Sequence, residues 1–384
     1  MIIFRGSSKR ELMPAKRGVF ITISFIAAVL CLLGALAGCA AHGGKSAEAA
    51  EATASGFILQ KSEDSGSNTD GGTVTLPPSY PTLHCINYNE KDFMASVEAA
   101  GADSSGADRD NAGLGTKASV KDGVSGSVDE KTRTPGTKDG ASSAKAGVAD
   151  IAGGITPHHL LAAELIAGFF RELSSDPPET IVVIGPNHKR IGFGGLQTSL
   201  ADWGTPFGRL EADRGIINKL MEDFNASVND GLMQQEHSVS ALVPYIRYYM
   251  PGIRIVPILL HGNYSSVDSM KLGKYLGKMA AANPGKIAII ASVDFSHYLD
   301  AETAYKMDDI TLDAIKKQNI SSIAKMGNDN MDSPPSIITF LVAMEESDAT
   351  GPEVAGHSNS SDIAGGGSDY TTSYFTMFYK YNDK

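Results

Sequence analysis

Four histidine-bearing segments contain the residues of this sequence that are best suited to chemistry. They are Pro157-His158-His159, Gly185-Pro186-Asn187-His188, Glu236-His237-Ser238 and Asp294-Phe295-Ser296-His297-Tyr298. Neutral imidazole is the commonest protein ligand for transition metals, and carboxylates such as Glu236 and Asp294 supply oxygen ligands. No two of these histidines have the spacing of a short motif such as H-E-x-x-H, so a shared site depends on the fold. Each histidine alone is more simply explained as a hydrogen-bonded structural residue, whereas the four together favour one metal site.

The elements that must position these residues are strands that end where the polar residues begin. Residues 287–293 form an apolar, β-branched run typical of a strand buried on both faces, and the run stops at Asp294. Residues 180–184 predict a second short buried strand, which leads to His188. Because open α/β folds bind ligands at the carboxyl ends of such strands, we predict that the histidines line one edge of a sheet.

Apolar patterning along the rest of the sequence predicts alternating helices and strands. The predicted helices are 160–173, 213–224, 267–282, 302–317 and 334–346, and the further strands are 196–199, 254–260 and 371–380, the last a candidate edge strand. The turn-rich segment 202–208 carries the only tryptophan, Trp203, and could form one wall of a cleft. The alternation predicts a single α/β domain over 148–384.

The first 38 residues have the features of an export signal. Basic residues precede an uncharged apolar stretch at 18–37. The stretch leads into Leu36-Ala37-Gly38-Cys39, which resembles the lipobox of bacterial lipoproteins, so Cys39 is the predicted lipidation site. We therefore predict a signal peptide at 1–38 and a lipid-anchored protein at the extracytoplasmic face of the cell membrane. An uncleaved transmembrane helix is the alternative, because the apolar stretch is long enough to span a bilayer.

Three segments between the signal and the main domain differ in composition. Residues 39–76 are rich in Ala, Gly, Ser, Glu and Asp, which predicts a flexible tether. Residues 77–100 combine a proline-rich arm with the pattern of a short amphipathic helix, and we expect them to pack on the main domain. Residues 101–147 return to Gly, Ser, Ala, Lys and Asp, a composition that predicts a disordered insertion.

Charge and cysteine content argue against nucleic acid as a partner and against a disulfide framework. Beyond residue 38 the chain has 28 basic and 43 acidic residues, a formal charge near −15. Such a surface repels the nucleic-acid backbone. If Cys31 leaves with the signal and Cys39 is acylated, only Cys85 remains, and one thiol cannot form an intrachain disulfide. The domain must then be held together by its core and by any bound metal.

The histidine segments, together with Thr205-Pro206-Phe207-Gly208, occur in the order found in the Memo family, which this sequence resembles over about 148–380. Bacterial members of that family are called AmmeMemoRadiSam system protein B. The resemblance implies a single domain with a mixed central sheet flanked by helices, similar to class III extradiol dioxygenases. It also implies a metal ion at the strand ends, Fe(II) in those dioxygenases, with Cu or Zn as alternatives.

Carried over by motif, the resemblance implies that His158 and His188 are metal ligands and that His237 belongs to the same site. Animal Memo proteins use a cysteine as third ligand at the position that is Ser296 here, and a serine hydroxyl is a much poorer ligand than a thiolate. The presence of a metal is therefore expected to depend on Ser296 and its neighbours.

Further residues beside the histidines are candidates for the pocket and for catalysis. Those that could complete the metal shell or act in catalysis are Asp294, His237 and His297. Those expected to line the pocket are His159, Glu236 and Ser296. In such a site His237 or His297 would shuttle a proton.

Three functions are compatible with these residues. The first is a metal-dependent, dioxygenase-like oxidoreductase that acts on an unknown small organic molecule. The second is a non-catalytic surface protein that binds a ligand, a metal or a partner protein through the same cleft. The third is a serine hydrolase built on Ser296 and His297, although adjacent residues at a strand end point in different directions. A functional link to AMMECR-like and radical SAM proteins rests only on analogy with the family's name.

Overall fold

The computed structural model describes residues 79–102 and 150–382, which share one sheet of twelve strands. The strands are β1 Thr82–His84, β2 Ile151–Thr156, β3 Thr180–Asn187, β4 Leu196–Thr198, β5 Asp202–Thr205, β6 Gly208–Ala212, β7 Ser227–Val228, β8 Arg254–His261, β9 Ile287–Ser292, β10 His297–Leu299, β11 Ala349–Asn359 and β12 Thr371–Tyr381. The helices are α1 Glu90–Ala102, α2 Ala163–Leu173, α3 Arg214–Phe224, α4 Asp230–Gln235, α5 His237–Ser240, α6 Val243–Tyr249, α7 Ser266–Ala282, α8 Ala301–Lys316, α9 Ile320–Ile323, α10 Pro334–Glu346 and α11 Ser360–Ile363.

Several segments predicted from the sequence lie outside the residues that the structure describes. The predicted signal peptide 1–38, the lipidation site Cys39, the tether 39–76 and the part of the predicted insertion beyond Ala102 lie outside the described residues. Within 79–102 and 150–382, no helix has both the length and the apolar character needed to cross a membrane.

The middle of the sheet consists of four parallel strands in the order β8, β3, β9 and β2. β12 pairs antiparallel with β2 on one side of this group, and β6 adds in parallel to β8 on the other. Since both directions occur, the sheet is mixed, and the predicted α/β class with a mixed central sheet flanked by helices is confirmed. The four parallel strands end at one edge, where ligands bind in open α/β folds.

Helices cover both faces of these central strands, which explains their continuous apolar sequences. Along β3, Val182 and Ile184 belong to the hydrophobic cluster that includes α7 and α10. Ile181 and Val183 belong to the opposite cluster, which includes α2 and α6. Successive side chains of a strand point to opposite faces, so a strand covered on both sides has no polar alternation.

The predicted arm at 77–100 is described from residue 79 and lies against the rest of the sheet. β1 pairs in parallel with β5, and α1 packs on α2. Phe93 of α1 lies 4.5 Å, centroid to centroid, from the ring of Tyr245 on α6. The Arg214 guanidinium stands 3.9 Å from the centroid of the Tyr80 ring, a cation–π contact that holds the start of the arm.

Three features differ from the sequence-based predictions. Trp203 is fully buried in the hairpin β5–β6 and does not form a cleft wall. β12 is not an edge strand, because it pairs with β2 on one side and with β10 and β11 on the other. β11 was not predicted, since its glycines, Pro352 and mostly exposed side chains obscure the strand pattern.

Two helical glycines give a matched test of the packing. A Cβ at Gly273 of α7 would lie 2.5 Å from the Thr339 carbonyl oxygen of α10, whereas a Cβ at Gly168 of α2 would meet nothing within 4 Å. We expect Gly273→Ala to lower the free energy of unfolding by about 1–3 kcal/mol through overpacking. Gly168→Ala should raise it by about 0.5–1 kcal/mol, because alanine is the better helix former. Equal thermal unfolding midpoints for the two variants would contradict the close helix contact.

Candidate metal centre

Three neighbouring strands bring distant parts of the sequence together at one edge of the sheet. His158 follows the end of β2, His188 follows β3, and Asp294 follows β9, which lies between those two strands. The parallel register pairs Thr156 of β2 with Ser292 of β9, so the strands end at the same level. The side chains that follow are therefore neighbours in space, as the strand-end patterns indicated.

His237 reaches the same place from a helix. It is the first residue of α5, where the preceding Glu236 caps the helix by accepting a hydrogen bond from the Ser238 N–H. The His237 ring stacks on the His188 ring with centroids 4.5 Å apart and stands edge to face with the His158 ring at 5.0 Å. One nitrogen each from His158, His188 and His237 lie within 4.8 Å of one another.

Hydrogen bonds assign the tautomer of His158. The Ser292 hydroxyl donates its one proton to the Ser238 carbonyl, so its oxygen accepts from His158 Nδ1–H at 3.1 Å. The His158 backbone N–H donates to Asp294 Oδ1 at 3.1 Å, which holds the chain beside the ring. The imidazole is 1% exposed, and its buried Nε2 has no hydrogen-bond partner. This nitrogen thus faces the cluster, 3.2 Å from Asp332 Oδ2 and 3.5 Å from Asp294 Oδ2.

His188 is oriented by a fully buried carboxylate. Glu236 Oε1 lies 2.8 Å from His188 Nδ1, and Glu236 Oε2 accepts from the His188 backbone N–H at 2.9 Å. The two contacts leave His188 Nε2 facing the cluster. A histidine ligand of a metal almost always donates its other N–H to a carboxylate, a carbonyl or a water in this way.

Asp332 adds a carboxylate that the sequence analysis did not identify. Its Oδ2 atom lies 3.2 Å from His158 Nε2 and 3.3 Å from His188 Nε2, and the side chain is 7% exposed. The Asp332 backbone N–H donates to the Asp294 carbonyl at 3.1 Å, which fixes the loop before α10. The only sequence feature that could have identified Asp332 is its position directly before Ser333-Pro334-Pro335. That pattern also occurs at the start of an ordinary helix.

The electrostatics of the cluster follow from burial and from ion pairing. Burial lowers the pKa of His188, but hydrogen bonds to Asp332 and Glu236 outweigh it and raise the pKa to about 10. Burial likewise lowers the pKa of His158, but Asp294 and Asp332 give a net increase. For Glu236 and Asp332, burial raises the pKa, but the histidines lower it below the usual value of a carboxyl group. The protein alone thus favours protons on the nitrogens that a metal would occupy.

The donor set fits a transition metal. The donors form two overlapping groups that share His158: the three imidazoles, and His158 with Asp294 and Asp332. Imidazole and carboxylate ligands suit iron, zinc or copper. Asp332 Oδ1 is a buried atom without a hydrogen-bond partner, and such a polar atom is costly to bury unless a ligand satisfies it. The cluster can therefore hold a metal ion.

Ser296 is not part of this cluster, which corrects the expectation that it lines the pocket. The side chain is fully buried, and its hydroxyl donates to Asp308 Oδ1 of α8 at 2.6 Å. Phe295 and Ser296 both hydrogen-bond to the backbone of Ser373 on β12, and this pairing directs Ser296 toward α8. The bond to Asp308 also leaves no pairing with His297 of the kind that a serine hydrolase needs.

The remaining predicted residues lie around the cluster. His159 is exposed, and its Nδ1 lies 2.6 Å from the buried Tyr374 hydroxyl. His297 begins β10, and its Nδ1 is buried without a hydrogen-bond partner. Within the described residues, neither belongs to a group of side chains close enough to share an ion. Asp294 does, through its contact with His158 Nε2 at 3.5 Å.

Comparison with known proteins gives a consistent result. A family model described as Memo-like protein matches residues 140–378. A MEMO1 family protein of Pyrobaculum arsenaticum is 31% identical over 169 residues, which cover 43% of this chain and 60% of that protein. A MEMO1 family protein of Methanococcus maripaludis (strain C5) is 27% identical over 222 residues, which cover 54% of this chain and 77% of that protein.

The extent of these matches differs. The chain spans 60% of the length of the first curated relatives. A solved structure, of uncharacterized protein JW3007 from Escherichia coli K12, has a TM-score of 0.39 and 11% identity, covers 56% of this chain and 91% of that one, and is too distant to carry an argument. The family model, by contrast, matches more than half of the chain, and on that ground the protein belongs to the family of Memo-like proteins.

Proposed function

We propose that this protein binds a transition metal through His158, His188, His237 and Asp332 and uses it for oxidoreduction of a small organic molecule. The observation that carries the proposal is the convergence of one nitrogen each from His158, His188 and His237 within 4.8 Å of one another. Fe(II) is the metal we favour, with Cu or Zn as alternatives, because imidazole with carboxylate suits all three. A bound iron would supply redox chemistry and Lewis acidity at this edge of the sheet.

The residues around the centre have separate tasks in this proposal. Glu236 and Ser292 hold Nδ1–H of His188 and His158, so that both Nε2 atoms stay available to the metal. His237 is 47% exposed at its side chain, so it can both bind the ion and exchange a proton with a substrate or with solvent.

Metal analysis of the purified full-length protein tests the proposal. We expect about one iron, copper or zinc ion per chain in the wild type and less than a tenth of that in a His158→Ala, His188→Ala double variant, because two imidazole ligands are lost. His261→Ala is the control, since His261 ends the adjacent strand β8 and lies outside the cluster. Equal metal in the wild type and the double variant would end the proposal.

Loading should also depend on pH in a defined direction. Without a metal, the pKa of His188 is raised to about 10, so its Nε2 carries a proton at neutral pH. A metal must displace that proton, and protons compete better as the pH falls. We therefore expect wild-type loading to weaken at acidic pH and to strengthen toward alkaline pH.

Attachment to the membrane through Cys39 is a separate part of the proposal. The lipobox-like sequence Leu36-Ala37-Gly38-Cys39 supports it. In cells fed an alkyne-labelled fatty acid, the wild type should carry the label and sediment with membranes, whereas Cys39→Ser should carry none. Cys85→Ser is the matched control and should keep the label. Label that persists in Cys39→Ser would exclude acylation at this thiol.

A further inference from the structure

The loop that follows His188 carries two exposed apolar side chains. We call residues 189–194 the tip loop, which lies between β3 and β4. Phe193 is 92% exposed, the largest exposed fraction of any large apolar side chain in the described residues, and Ile191 is 53% exposed. Single apolar residues are common at protein surfaces, whereas two large ones in one short loop indicate a surface that binds another apolar surface.

Two interior amides hold the tip loop in one conformation. Asn187 Nδ2 donates to the Ile191 carbonyl at 2.7 Å. Gln197 Nε2 donates to the carbonyls of Phe193 and Gly194, both at 3.1 Å. The two amides are buried and also bond to each other, with Nδ2 of Asn187 3.0 Å from Oε1 of Gln197. The exposure of the two apolar side chains is therefore fixed by contacts that the loop makes with the interior.

The tip loop is also locally basic. Lys189 and Arg190 are exposed, and within the part of the chain that the structure describes neither takes part in an ion pair. The acidic side chains of the candidate metal centre, Glu236 and Asp332, are instead paired with its histidines. The tip loop is thus a positive site on a chain whose formal charge beyond residue 38 is near −15.

This combination of charge and apolar surface fits an anionic lipid bilayer. Basic side chains bind the headgroups of such a bilayer, while apolar side chains enter the boundary between headgroups and acyl chains. Acidic groups elsewhere on the domain are repelled by the same surface, but at physiological ionic strength charges farther away than about 8 Å are largely screened. The domain can therefore approach an anionic bilayer with the tip loop first.

We propose that the tip loop inserts Ile191 and Phe193 into the headgroup region of an anionic bilayer, with its two basic side chains on the lipid phosphates. Lipid is favoured over a protein partner because the proposed attachment through Cys39 would keep the domain beside a bilayer. Since the tip loop begins directly after His188, this contact would turn the strand edge that carries the candidate metal centre toward the membrane. The lipid contact itself does not rest on the proposed metal function.

Quenching of fluorescence by brominated lipid tests the contact in the full-length protein. The protein is held in nanodiscs of equal parts phosphatidylglycerol and phosphatidylcholine, the latter brominated near the headgroup end of its acyl chains. We expect the tryptophan added by Ile191→Trp to lose more than about half of the fluorescence that it has in nanodiscs without bromine, because it lies among the headgroups. The buried Trp203 gives a background signal, which the wild type measures.

Ile310→Trp is the matched control, since it makes the same substitution at a similar exposure. Ile310 is 55% exposed on α8, and α8 packs on β10, β11 and β12, away from the tip loop. Its added tryptophan should lose less than about a tenth of its fluorescence, because it faces water. Equal quenching of the two added tryptophans, or a protein that does not associate with the nanodiscs, would overturn the inference.

A second set of variants tests the role of charge. In the Ile191→Trp protein, the changes Lys189→Ser and Arg190→Ser together should reduce the quenching at least about twofold, because the tip loop loses its attraction to anionic headgroups. Lys316→Ser with Lys317→Ser removes an adjacent pair of exposed lysines at the end of α8 and should leave the quenching unchanged. The same quenching in both charge variants would contradict binding to the lipid phosphates.

The outcomes for this inference and for the proposed function can be told apart. If the wild type carries no more metal than the His158→Ala, His188→Ala double variant but Ile191→Trp is quenched, the metal function fails and the lipid contact remains. If the wild type carries metal and an acyl chain but Ile191→Trp is not quenched, the inference about the tip loop fails alone.

Discussion

Asp332→Ala is expected to weaken metal binding by more than about 100-fold, whereas Ser296→Ala should leave it unchanged. Loss of a residue that only orients a ligand costs roughly 10–100-fold, and Asp332 is itself placed to be a ligand. Its Oδ2 lies within 3.3 Å of Nε2 of both His158 and His188. Ser296 instead donates to Asp308, so its loss should lower the free energy of unfolding by about 1–3 kcal/mol without changing the metal centre.

Competition titration against a coloured chelator measures these affinities in the full-length protein. Asp329→Ala is the control for charge. Asp329 is an exposed carboxylate three residues before Asp332, and its substitution removes the same negative charge. An affinity that drops as far in Ser296→Ala as in Asp332→Ala would restore Ser296 to the centre and contradict the geometry.

Glu236→Gln is expected to weaken metal binding by about 10–100-fold and to lower the free energy of unfolding by about 1–3 kcal/mol. The two Glu236 oxygens accept hydrogen bonds from the His188 backbone N–H and the His188 ring. A glutamine amide would replace one acceptor by a donor, so that one buried N–H of His188 would face another donor. The ring would then lose the orientation that directs Nε2 at the metal.

Metal titration and thermal unfolding of the same variant measure the two effects. Glu222→Gln on α3 provides the control. Glu222 is exposed, and its substitution makes the same chemical change away from the centre. If Glu236→Gln retained the wild-type affinity, Glu236 would be a helix cap without a part in orienting the ligand.

The sequence was informative for features that a single short segment determines, such as a buried strand and the polar residues that follow it. The apolar runs of β3 and β9 identify strands covered on both faces, and each is followed by polar residues at the edge of the sheet. This pattern pointed to His188 and Asp294, and the resemblance to the Memo family added His158. The structure brings the rings of His158 and His188 within 5.2 Å of each other, centroid to centroid. His237 could be included because it shares its motif with Glu236.

Sequence was insufficient where long-range pairing decides a side chain's direction. Asp332 meets His188 across 144 residues, and nothing beside it in the sequence marks it as different from a residue before a helix. Ser296 lies two residues from Asp294, yet pairing with Ser373 of β12 turns it toward α8. β11 escaped prediction because its side chains are mostly exposed and lack a regular alternation.

The distance along the chain between His188 and Asp332 has a consequence for how the proposed metal ion would be acquired. The centre exists only after β2, β3, β9 and the start of α10 have assembled, so an unfolded chain offers no site of comparable affinity. An ion bound there joins segments 144 residues apart and stabilises the folded state by mass action. In the proposed function, binding of the metal would therefore follow folding of the chain.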